Sequence, residues 1–279
     1  MWCEVGGRRI YYESCGDGRP ALMIHGFGID HHVMTGCMEP LFRDRPGWRR
    51  IYPDLPGMGQ SPAGEVKNAD QMLDVLIRFA EQVAGPRYAV AGESYGGYLA
   101  RGLVYRVPER LSGLLLLCPV VIAPRERRRL PARAVFAREE AALDSMPPDV
   151  RKLFERTMVL QDRRRRERFQ QDIVPGMQAP ARDEAFLRQF MREGYSFSFD
   201  VDRLERPFTK PALLLAGRQD ASVGWQDLLA IAGNYHRGSI AVLDRAGHGL
   251  EVEQETVFNC LANEWLDRIE GEEAKLKLS

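Results

Sequence analysis

The sequence predicts an α/β protein: a mostly parallel, twisted sheet of eight strands flanked by helices, with a helical lid inserted between the sixth and seventh strands. Short apolar runs alternate with longer segments whose apolar residues recur at helical spacing, which is typical of βαβ units. The first two runs flank Gly6 and Gly7, as in an antiparallel hairpin with a two-residue turn. With 279 residues, of which 44% are hydrophobic, the chain is long enough to bury a large core.

The predicted strands are short apolar runs bounded by turn residues. In chain order they are WCEV, RRIYYES, ALMIHG, RRIYPDL, RYAVAG, LSGLLLLCP, PALLLAG and SIAVLD. The predicted helices lie between strands because their apolar residues recur every three or four positions, as at Met72, Val75 and Phe79. They cover residues 69–83, 95–105, 225–235 and 257–269.

One region breaks this alternation. From about Val121 to Arg206 the sequence holds only Arg- and Glu-rich helical patterns, interrupted by MPPD and VPGMQAP. We therefore predict a core domain made of residues 1–120 and 207–279, and a helical lid made of residues 121–206. The run RRRR at 163–166 suggests a phosphate or membrane patch, but Asp162 and Glu167 beside it favour a solvated helix face.

The composition argues against several classes of protein. The formal net charge is zero, so nothing in it indicates a nucleic-acid or strongly anionic partner. The five cysteines are scattered and lack C-x-x-C spacing, which argues against a disulfide framework and against a zinc site. The first residues do not resemble a secretion signal, and the longest apolar run, residues 114–123, is too short to span a bilayer. We expect a cytoplasmic protein, a monomer or homodimer, with no membrane partner, metal or cofactor.

The motif GESYG, residues 92–96, matches the pattern G-x-S-x-G. Alone the pattern is weak, but here an apolar strand, YAVA, precedes it and a helical segment, YLARGLVY, follows it. A serine that projects from a sharp strand-to-helix turn sits in strained backbone, and the small residues Gly92 and Gly96 remove clashes with neighbouring elements. We predict that Ser94 is a nucleophile; the alternative is an ordinary serine at a helix N-terminus.

Two residues that follow later strands complete a catalytic set. Asp220 comes just after PALLLAG, and His248 comes just after SIAVLD. A serine hydroxyl needs a base to take its proton, and an imidazole does so when a carboxylate fixes its tautomer and stabilises the imidazolium. The chain order Ser94, Asp220, His248 therefore predicts a triad. The alternatives are a turn-forming Asp and a surface His.

Five motifs in order carry a resemblance to a known family. They are MIHGFG (23–28), YPDLPGMGQSP (52–62), AGESYGG (91–97), LLLAGRQD (213–220) and AGHGLEVEQ (246–254). Over nearly its whole length the chain resembles the α/β-hydrolase fold superfamily, in the group of serine hydrolases with a helical lid. The resemblance implies that Ser94 is the nucleophile, His248 the base and then the acid, and Asp220 the residue that orients it.

The resemblance also implies an oxyanion hole made by the backbone N–H groups of Phe27 and Tyr95. His25 and Asp54 are expected to be structural residues of their loops. Three other side chains are candidates for the substrate pocket: Glu93, which precedes the nucleophile and otherwise has a structural or tuning role, and His31 and His32 in the oxyanion loop.

The nucleophile narrows the reaction. Lidded relatives that open epoxides or displace halide use an aspartate at this position, so a serine favours acyl transfer through an acyl-enzyme. Proline-specific aminopeptidases of this fold resemble GGSWG, and this chain lacks that Trp. We expect a small-molecule substrate, namely a carboxylic ester or lactone of small to medium size and apolar character. The alternatives are a C–C bond hydrolase, a lyase on the same scaffold, and a ligand receptor without catalysis.

Overall fold

The strands and helices are taken from a computed structural model that describes residues 1–278, with side chains for all of these except residue 273 and residues 275–278. The strands are β1 (Trp2–Val5), β2 (Arg8–Cys15), β3 (Arg19–Ile24), β4 (Trp48–Pro53), β5 (Tyr88–Glu93), β6 (Leu111–Leu117), β7 (Ala137–Arg138), β8 (Leu160–Gln161), β9 (Ala212–Gly217) and β10 (Gly238–Leu243).

The α-helices lie between or after these strands. They are α1 (His32–Phe42), α2 (Ala69–Val83), α3 (Tyr95–Arg106), α4 (Glu140–Asp144), α5 (Pro148–Thr157), α6 (Arg163–Asp172), α7 (Val174–Met177), α8 (Glu184–Gln189), α9 (Gln226–Ala230), α10 (Leu250–Glu253) and α11 (Glu255–Leu278). Short 3₁₀ turns occupy Pro108–Arg110, Arg125–Arg127 and Ala232–Asn234, and a π-helical turn occupies Phe190–Gly194.

Eight strands form one sheet in the order β1-β2-β4-β3-β5-β6-β9-β10. The β1–β2 and β2–β4 pairs are antiparallel, and all other neighbours in this sheet are parallel. Every residue of β5, β6 and β9 is buried, because helices cover both faces of the central strands. The predicted α/β fold with a mostly parallel eight-stranded sheet is therefore confirmed.

The observed helices differ from the predicted ones at several places, and the short helix α10 was not predicted. Helix α1 was not predicted, since Gly36 and Pro40 interrupt its pattern. The segment 225–235 is not one helix, because the backbone of Asn234 and His236 bonds to Phe208 instead of continuing the helix. The last helix is longer than predicted and reaches Leu278. No helix in the described part of the chain combines the length and apolar character that crossing a membrane requires.

The segment between β6 and β9 carries helices α4–α8 and the two-residue pair β7–β8, which the sequence did not predict. Its side chains form a second buried cluster that includes Leu143, Val150, Phe154 and Phe169. The same cluster takes in Val252 of α10, so this segment packs against the helix that follows the predicted catalytic histidine. The boundaries of a lid at 121 and 206 stay a prediction.

Arg101 of α3 binds residues near both ends of this segment. Its guanidinium is 1% exposed, donates to the carbonyls of Val120 (2.9 Å) and Val121 (3.0 Å), and pairs with Asp202. A buried cation of this kind is held by hydrogen bonds to each partner, and its loss leaves those partners without a donor.

We expect Arg101→Met to lower the free energy of unfolding by about 3 kcal/mol, because breaking a buried ion pair leaves one carboxylate and two carbonyls unpaired. Urea unfolding measures this. The control is Arg106→Met on the same helix, where an arginine that is 43% exposed pairs loosely with Asp74 at 3.6 Å. That change should cost less than about 1 kcal/mol. Equal costs for the two variants would contradict the anchoring role.

Candidate active site

Ser94 occupies a strained turn between β5 and α3. Its φ of 52° and ψ of −113° lie outside the regions that side-chain-bearing residues favour, and it is one of three non-glycine residues with positive φ within residues 1–278. Its N–H donates to the Leu117 carbonyl (2.9 Å), and its carbonyl accepts from the Val120 N–H (2.9 Å). The end of the neighbouring strand therefore holds the turn in place.

The glycines on either side of this turn are required by close backbone contacts. A Cβ atom at Gly92 would lie 2.3 Å from the carbonyl oxygen of Gly96, and one at Gly96 would lie 2.2 Å from the carbonyl oxygen of Ile24. Neither obstacle is a flexible side chain. The first turn of α3 thus packs directly on β3 and β5, as the motif indicates.

The structure brings the three residues of the predicted triad together. His248 Nδ1 is 2.7 Å from Asp220 Oδ2, and His248 Nε2 is 3.0 Å from Ser94 Oγ. Asp220 is fully buried, and its other oxygen accepts from the N–H groups of Ser222 (2.8 Å) and Val223 (3.1 Å). This geometry suits a neutral imidazole that donates from Nδ1 to the carboxylate and accepts the serine proton at Nε2.

The loop that carries His248 is bound to the segment between β6 and β9. The His248 N–H donates to the carbonyl of Thr157 (2.8 Å). The carboxylate of Glu253 accepts from Val159 N–H (2.6 Å), from Leu160 N–H (2.7 Å) and from Gly247 N–H (2.6 Å). Because one carboxylate binds both chain segments, the position of the imidazole depends on the segment that covers it.

Charge around the imidazole favours its protonated form. Burial by itself lowers the pKa of His248, but the charge and hydrogen bond of Asp220, then Glu93 and Glu251, raise this pKa to about 9. An unperturbed histidine titrates near about 6.5. A reaction that needs neutral His248 is therefore expected to speed up as pH rises through a range above the ordinary histidine value.

The two predicted oxyanion donors lie on either side of the nucleophile in sequence and share an aromatic cluster. The rings of Phe27 and Tyr95 meet edge to face with centroids 5.5 Å apart. Within residues 1–278, neither the Phe27 N–H nor the Tyr95 N–H has a hydrogen-bond partner. A free amide at the first position of a helix is an available donor for an oxyanion.

Aromatic side chains from the segment between β6 and β9 pack against the rings of these two residues. Phe190 lies 5.7 Å from Phe27, and Tyr195 lies 4.5 Å from Tyr95, measured between ring centroids. Arg182 donates from Nε to the carbonyl of Gly28 in the same loop (3.0 Å). The candidate site thus has an apolar, aromatic wall, which suits an apolar ligand.

Hydrogen bonds join the loops that lie beside the predicted oxyanion donors. His25 Nδ1 is 2.7 Å from the Gly26 carbonyl, and His25 Nε2 accepts from the Leu55 N–H (2.9 Å). Burial lowers the pKa of His25, and these two bonds suit its neutral form. Asp54 accepts from the N–H groups of His31 (3.1 Å) and Gln60 (2.8 Å). His25 and Asp54 accordingly have the structural contacts that the sequence indicates.

The three predicted pocket residues have different surroundings. Glu93 lies beside the triad, with Oε1 3.5 Å from His248 Nε2. His31 is buried with Nδ1 2.7 Å from Asp54, and His32 stacks on it and has Nδ1 2.9 Å from Asp30. No hydrogen bond or ion pair of the described residues joins either histidine to the triad, so their role in the pocket stays a prediction.

In two groups of described residues, side-chain atoms that could ligate a metal ion lie within 4.8 Å of one another. They are Asp30, His31 and His32 near the start of α1, and Cys118, Asp220 and His248 at the triad. In both groups the histidine Nδ1 atoms are already bonded to carboxylates. Burial raises the pKa of the Cys118 thiol well above its usual range, which disfavours the thiolate that binds metals.

Two residues of the site were not singled out in the sequence. Tyr195 reaches it from the covering segment, and nothing in the local pattern marks it. Glu251 is 5% exposed in α10, and its charge influences His248. Its position three residues after His248 is the signal in the sequence that could have found it.

Known proteins resemble the chain over part or most of its length. The 2-hydroxymuconate semialdehyde hydrolase of Pseudomonas sp. (strain CF600) is 26% identical over 274 residues, which cover 94% of this chain and 92% of that protein. The pimeloyl-acyl-carrier-protein methyl ester esterase of Nitrosomonas europaea is 35% identical over 108 residues, 39% of this chain and 40% of the esterase. A solved structure of an alpha/beta superfamily hydrolase from Oenococcus oeni PSU-1 is 29% identical, with a TM-score of 0.86 over 97% of this chain and 99% of that one.

The match to a protein family covers most of the sheet and the predicted triad. The alpha/beta hydrolase family matches residues 21–259, from β3 into α11. This interval contains Ser94, Asp220 and His248 as well as the two loops that precede the nucleophile. The predicted resemblance is confirmed, and the chain belongs to the alpha/beta hydrolase family.

Proposed function

We propose that the protein is a serine hydrolase that cleaves a carboxylic ester or lactone through an acyl-enzyme on Ser94. One observation carries the proposal: a continuous hydrogen-bonded path runs from Asp220 through His248 (2.7 Å) to Ser94 Oγ (3.0 Å). These distances are those at which a base can take a proton from its nucleophile.

In the first step His248 Nε2 takes the Ser94 proton while Oγ attacks the carbonyl carbon of the substrate. The carbonyl oxygen becomes an oxyanion, and the N–H groups of Phe27 and Tyr95 are our candidates for its donors. Each such donor contributes about 3 kcal/mol to transition-state stabilisation. The imidazolium then gives its proton to the leaving oxygen, and the alcohol departs.

In the second step water replaces the alcohol. His248 takes a proton from the water, whose oxygen attacks the acyl carbon. The bond between the acyl carbon and Ser94 Oγ then breaks as the imidazolium returns the proton to Oγ. The products are a carboxylic acid and the free enzyme. Asp220 stays ionised throughout and keeps the imidazole oriented.

The aromatic wall supports a small to medium, apolar substrate. Phe190 and Tyr195 come from residues 121–206 and lie over Phe27 and Tyr95. We propose that this segment is the lid of the site. The esterase from Nitrosomonas europaea, 35% identical over 39% of this chain, supports ester cleavage. All five cysteines are free thiols, which suits the cytoplasmic location that we propose.

Hydrolysis of a C–C bond is the second candidate function. The 2-hydroxymuconate semialdehyde hydrolase, which is similar over 94% of this chain, favours it. The same serine and histidine serve either reaction, because both end in a carboxylic acid. Fold alone does not separate them.

The deciding experiment assays p-nitrophenyl esters of increasing acyl length, aliphatic lactones and a vinylogous diketone on one enzyme sample. We expect turnover of esters or lactones, with one ¹⁸O atom from labelled water in the carboxylate product. Cleavage of the diketone alone would establish the C–C hydrolase instead. A product without a carboxylate would indicate a lyase, and binding without turnover would indicate a receptor.

A further inference from the structure

Glu93 places a second carboxylate against the imidazole of His248. It is the last residue of β5, and its side chain is only 6% exposed. Its Oε1 lies 3.5 Å from His248 Nε2, the same nitrogen that lies 3.0 Å from Ser94 Oγ. Its Oε2 lies beside Gly26 of the oxyanion loop, whose backbone favours the ionised form of Glu93. Oε1 is the oxygen that faces the histidine.

A third carboxylate lies behind this pair. Glu251 of α10 is buried, and its Oε2 lacks a hydrogen-bond partner in the described part of the chain. Burial raises the pKa of Glu93 to about 7, with His248 opposing the change. Burial, and then the charge of Glu93, raises the pKa of Glu251 to about 8. Three buried carboxylates, those of Asp220, Glu93 and Glu251, thus act on one imidazole.

The other titratable groups around this cluster do not balance its charge. Asp172 adds a carboxylate near Glu251, and its own pairing with Arg168 at 3.0 Å uses that cation. Burial holds the thiols of Cys37 and Cys118 and the phenol of Tyr195 in their neutral forms, because it raises the pKa of each. Arg128 is a further cation nearby, but it acts on the Tyr195 phenol and donates to the carbonyls of Ile122, Ala123 and Ser222. His248 is the cation that acts on both Glu93 and Glu251.

The proton on His248 Nε2 consequently has two acceptors. One is Ser94 Oγ, within hydrogen-bond distance at 3.0 Å, and the other is Glu93 Oε1, which forms an ion pair with the imidazolium at 3.5 Å. We propose that Glu93 is a positioning residue that holds the Nε2 proton of the imidazolium and thereby sets the pH above which His248 becomes a base for Ser94. This inference rests on the proposed function.

The sign of the effect follows from the proton balance. The imidazolium has no free electron pair on Nε2, so it cannot take the Ser94 proton. The Glu93 carboxylate stabilises the imidazolium, so a higher pH is needed to release that proton to solvent. When the Ser94 proton later arrives, with the Oγ–H bond breaking and the Nε2–H bond forming, the same carboxylate stabilises the imidazolium that results.

The interaction between Glu93 and His248 therefore affects the rate in two ways. It sets the pH at which His248 becomes a base, and it stabilises the imidazolium that forms during the reaction. Glu93→Gln keeps the shape of the side chain and removes its charge. We expect the acid limb of the pH profile to move down by about one unit, and the rate on the alkaline plateau to fall by up to about tenfold, since one pKa unit corresponds to a factor of ten. At pH values below the acid limb, the gain from the lower pKa of His248 and the loss of plateau rate offset each other. A residue with a purely structural role lowers the rate by one factor at every pH.

The test measures the second-order rate constant for labelling Ser94 with a fluorophosphonate from pH 5 to 10, which needs no natural substrate. Glu93→Gln is compared with Glu93→Asp, which keeps the charge, with Glu251→Gln, and with Glu65→Gln, which removes an exposed carboxylate. We expect a lower limb in Glu93→Gln, a smaller shift of the same sign in Glu251→Gln, and none in Glu65→Gln. An unchanged limb in a folded Glu93→Gln variant would overturn the inference.

A second measurement separates this inference from the proposed function. The His248 imidazole is titrated by NMR in the wild type and in the Glu93 and Glu251 variants, with no reaction involved. We expect it to titrate above the ordinary histidine range in the wild type and lower in the variants. Titration of wild-type His248 near 6.5 would overturn the inference even if Glu93→Gln fails to fold. Absence of any fluorophosphonate adduct would instead overturn the proposed function.

Discussion

Ser94→Ala is expected to lower kcat for ester hydrolysis by at least about 10⁴-fold, because the attacking oxygen is lost and no nearby group replaces it. The fold should survive the change. The only hydrogen bond of Ser94 Oγ within residues 1–278 is to His248 Nε2 (3.0 Å), and alanine carries the same Cβ atom through the strained turn. Steady-state kinetics with p-nitrophenyl esters and a thermal melt measure the two parts of this expectation.

Ser112 offers a matched control for this variant. It is another buried serine, 4% exposed, in the neighbouring strand β6. Ser112→Ala should keep kcat within about twofold of the wild type, because the serine makes no contact with the triad among the described residues. If Ser94→Ala retained more than a hundredth of wild-type turnover, Ser94 would not be the nucleophile.

Asp220→Asn is expected to lower kcat by about 10⁴-fold, as the loss of the orienting carboxylate does in a serine triad. The amide changes which tautomer of His248 is stabilised, so Nε2 no longer presents an electron pair to Ser94. The variant also removes the largest charge that raises the pKa of His248, so the remaining activity should reach its plateau at a lower pH. A pH profile of kcat/KM from 5 to 10 measures both effects.

Asp227→Asn controls for the loss of a buried aspartate. Asp227 is 1% exposed and pairs with Arg129 at 2.8 Å, outside the candidate site. We expect this variant to be less stable than the wild type but to keep its pH profile. Equal losses of kcat in Asp220→Asn and Asp227→Asn would mean that Asp220 acts through stability and not through His248.

The parts of the fold and site that the sequence predicted are those coded by local patterns. The central strands β5, β6 and β9 are short, mostly apolar runs, and β5 is followed at once by the glycine-flanked serine. Asp220 and His248 each follow the end of a strand, and the parallel order of β5, β6, β9 and β10 brings these ends to one edge of the sheet. For this reason three residues far apart in sequence were predicted together.

The parts that were missed depend on contacts between distant segments. The segment 225–235 has a helical pattern, but Phe208 takes the backbone hydrogen bonds that a continuous helix needs. The partner of His31 is Asp54, which lies on a loop after another strand. Glu251 and Tyr195 reach the site because of how α10 and the covering segment pack. The partners of these contacts lie far apart in the sequence, except for Glu251 and His248, which are three residues apart.

The arginines of the run in α6 form ion pairs with nearby carboxylates. Arg163 pairs with Glu167 at 2.8 Å and Arg165 with Asp162 at 3.0 Å, within the helix and its N-terminus. Arg164 pairs with Glu255 at 2.6 Å, at the start of α11. Arg163 and Arg164 lie on an exposed, ion-paired helix face, in agreement with the sequence interpretation, whereas the side chains of Arg165 and Arg166 are only 19% exposed.

The central claim is that Ser94 is an activated nucleophile that carries an acyl group. Intact-protein mass spectrometry, after brief mixing of the enzyme with a slowly hydrolysed p-nitrophenyl ester and an acid quench, tests it most directly. We predict one added acyl mass on the wild type, located by digestion on the peptide that contains Ser94, and none on Ser94→Ala. Ester turnover without an acyl adduct in the wild type, or the same adduct on Ser94→Ala, would contradict the account.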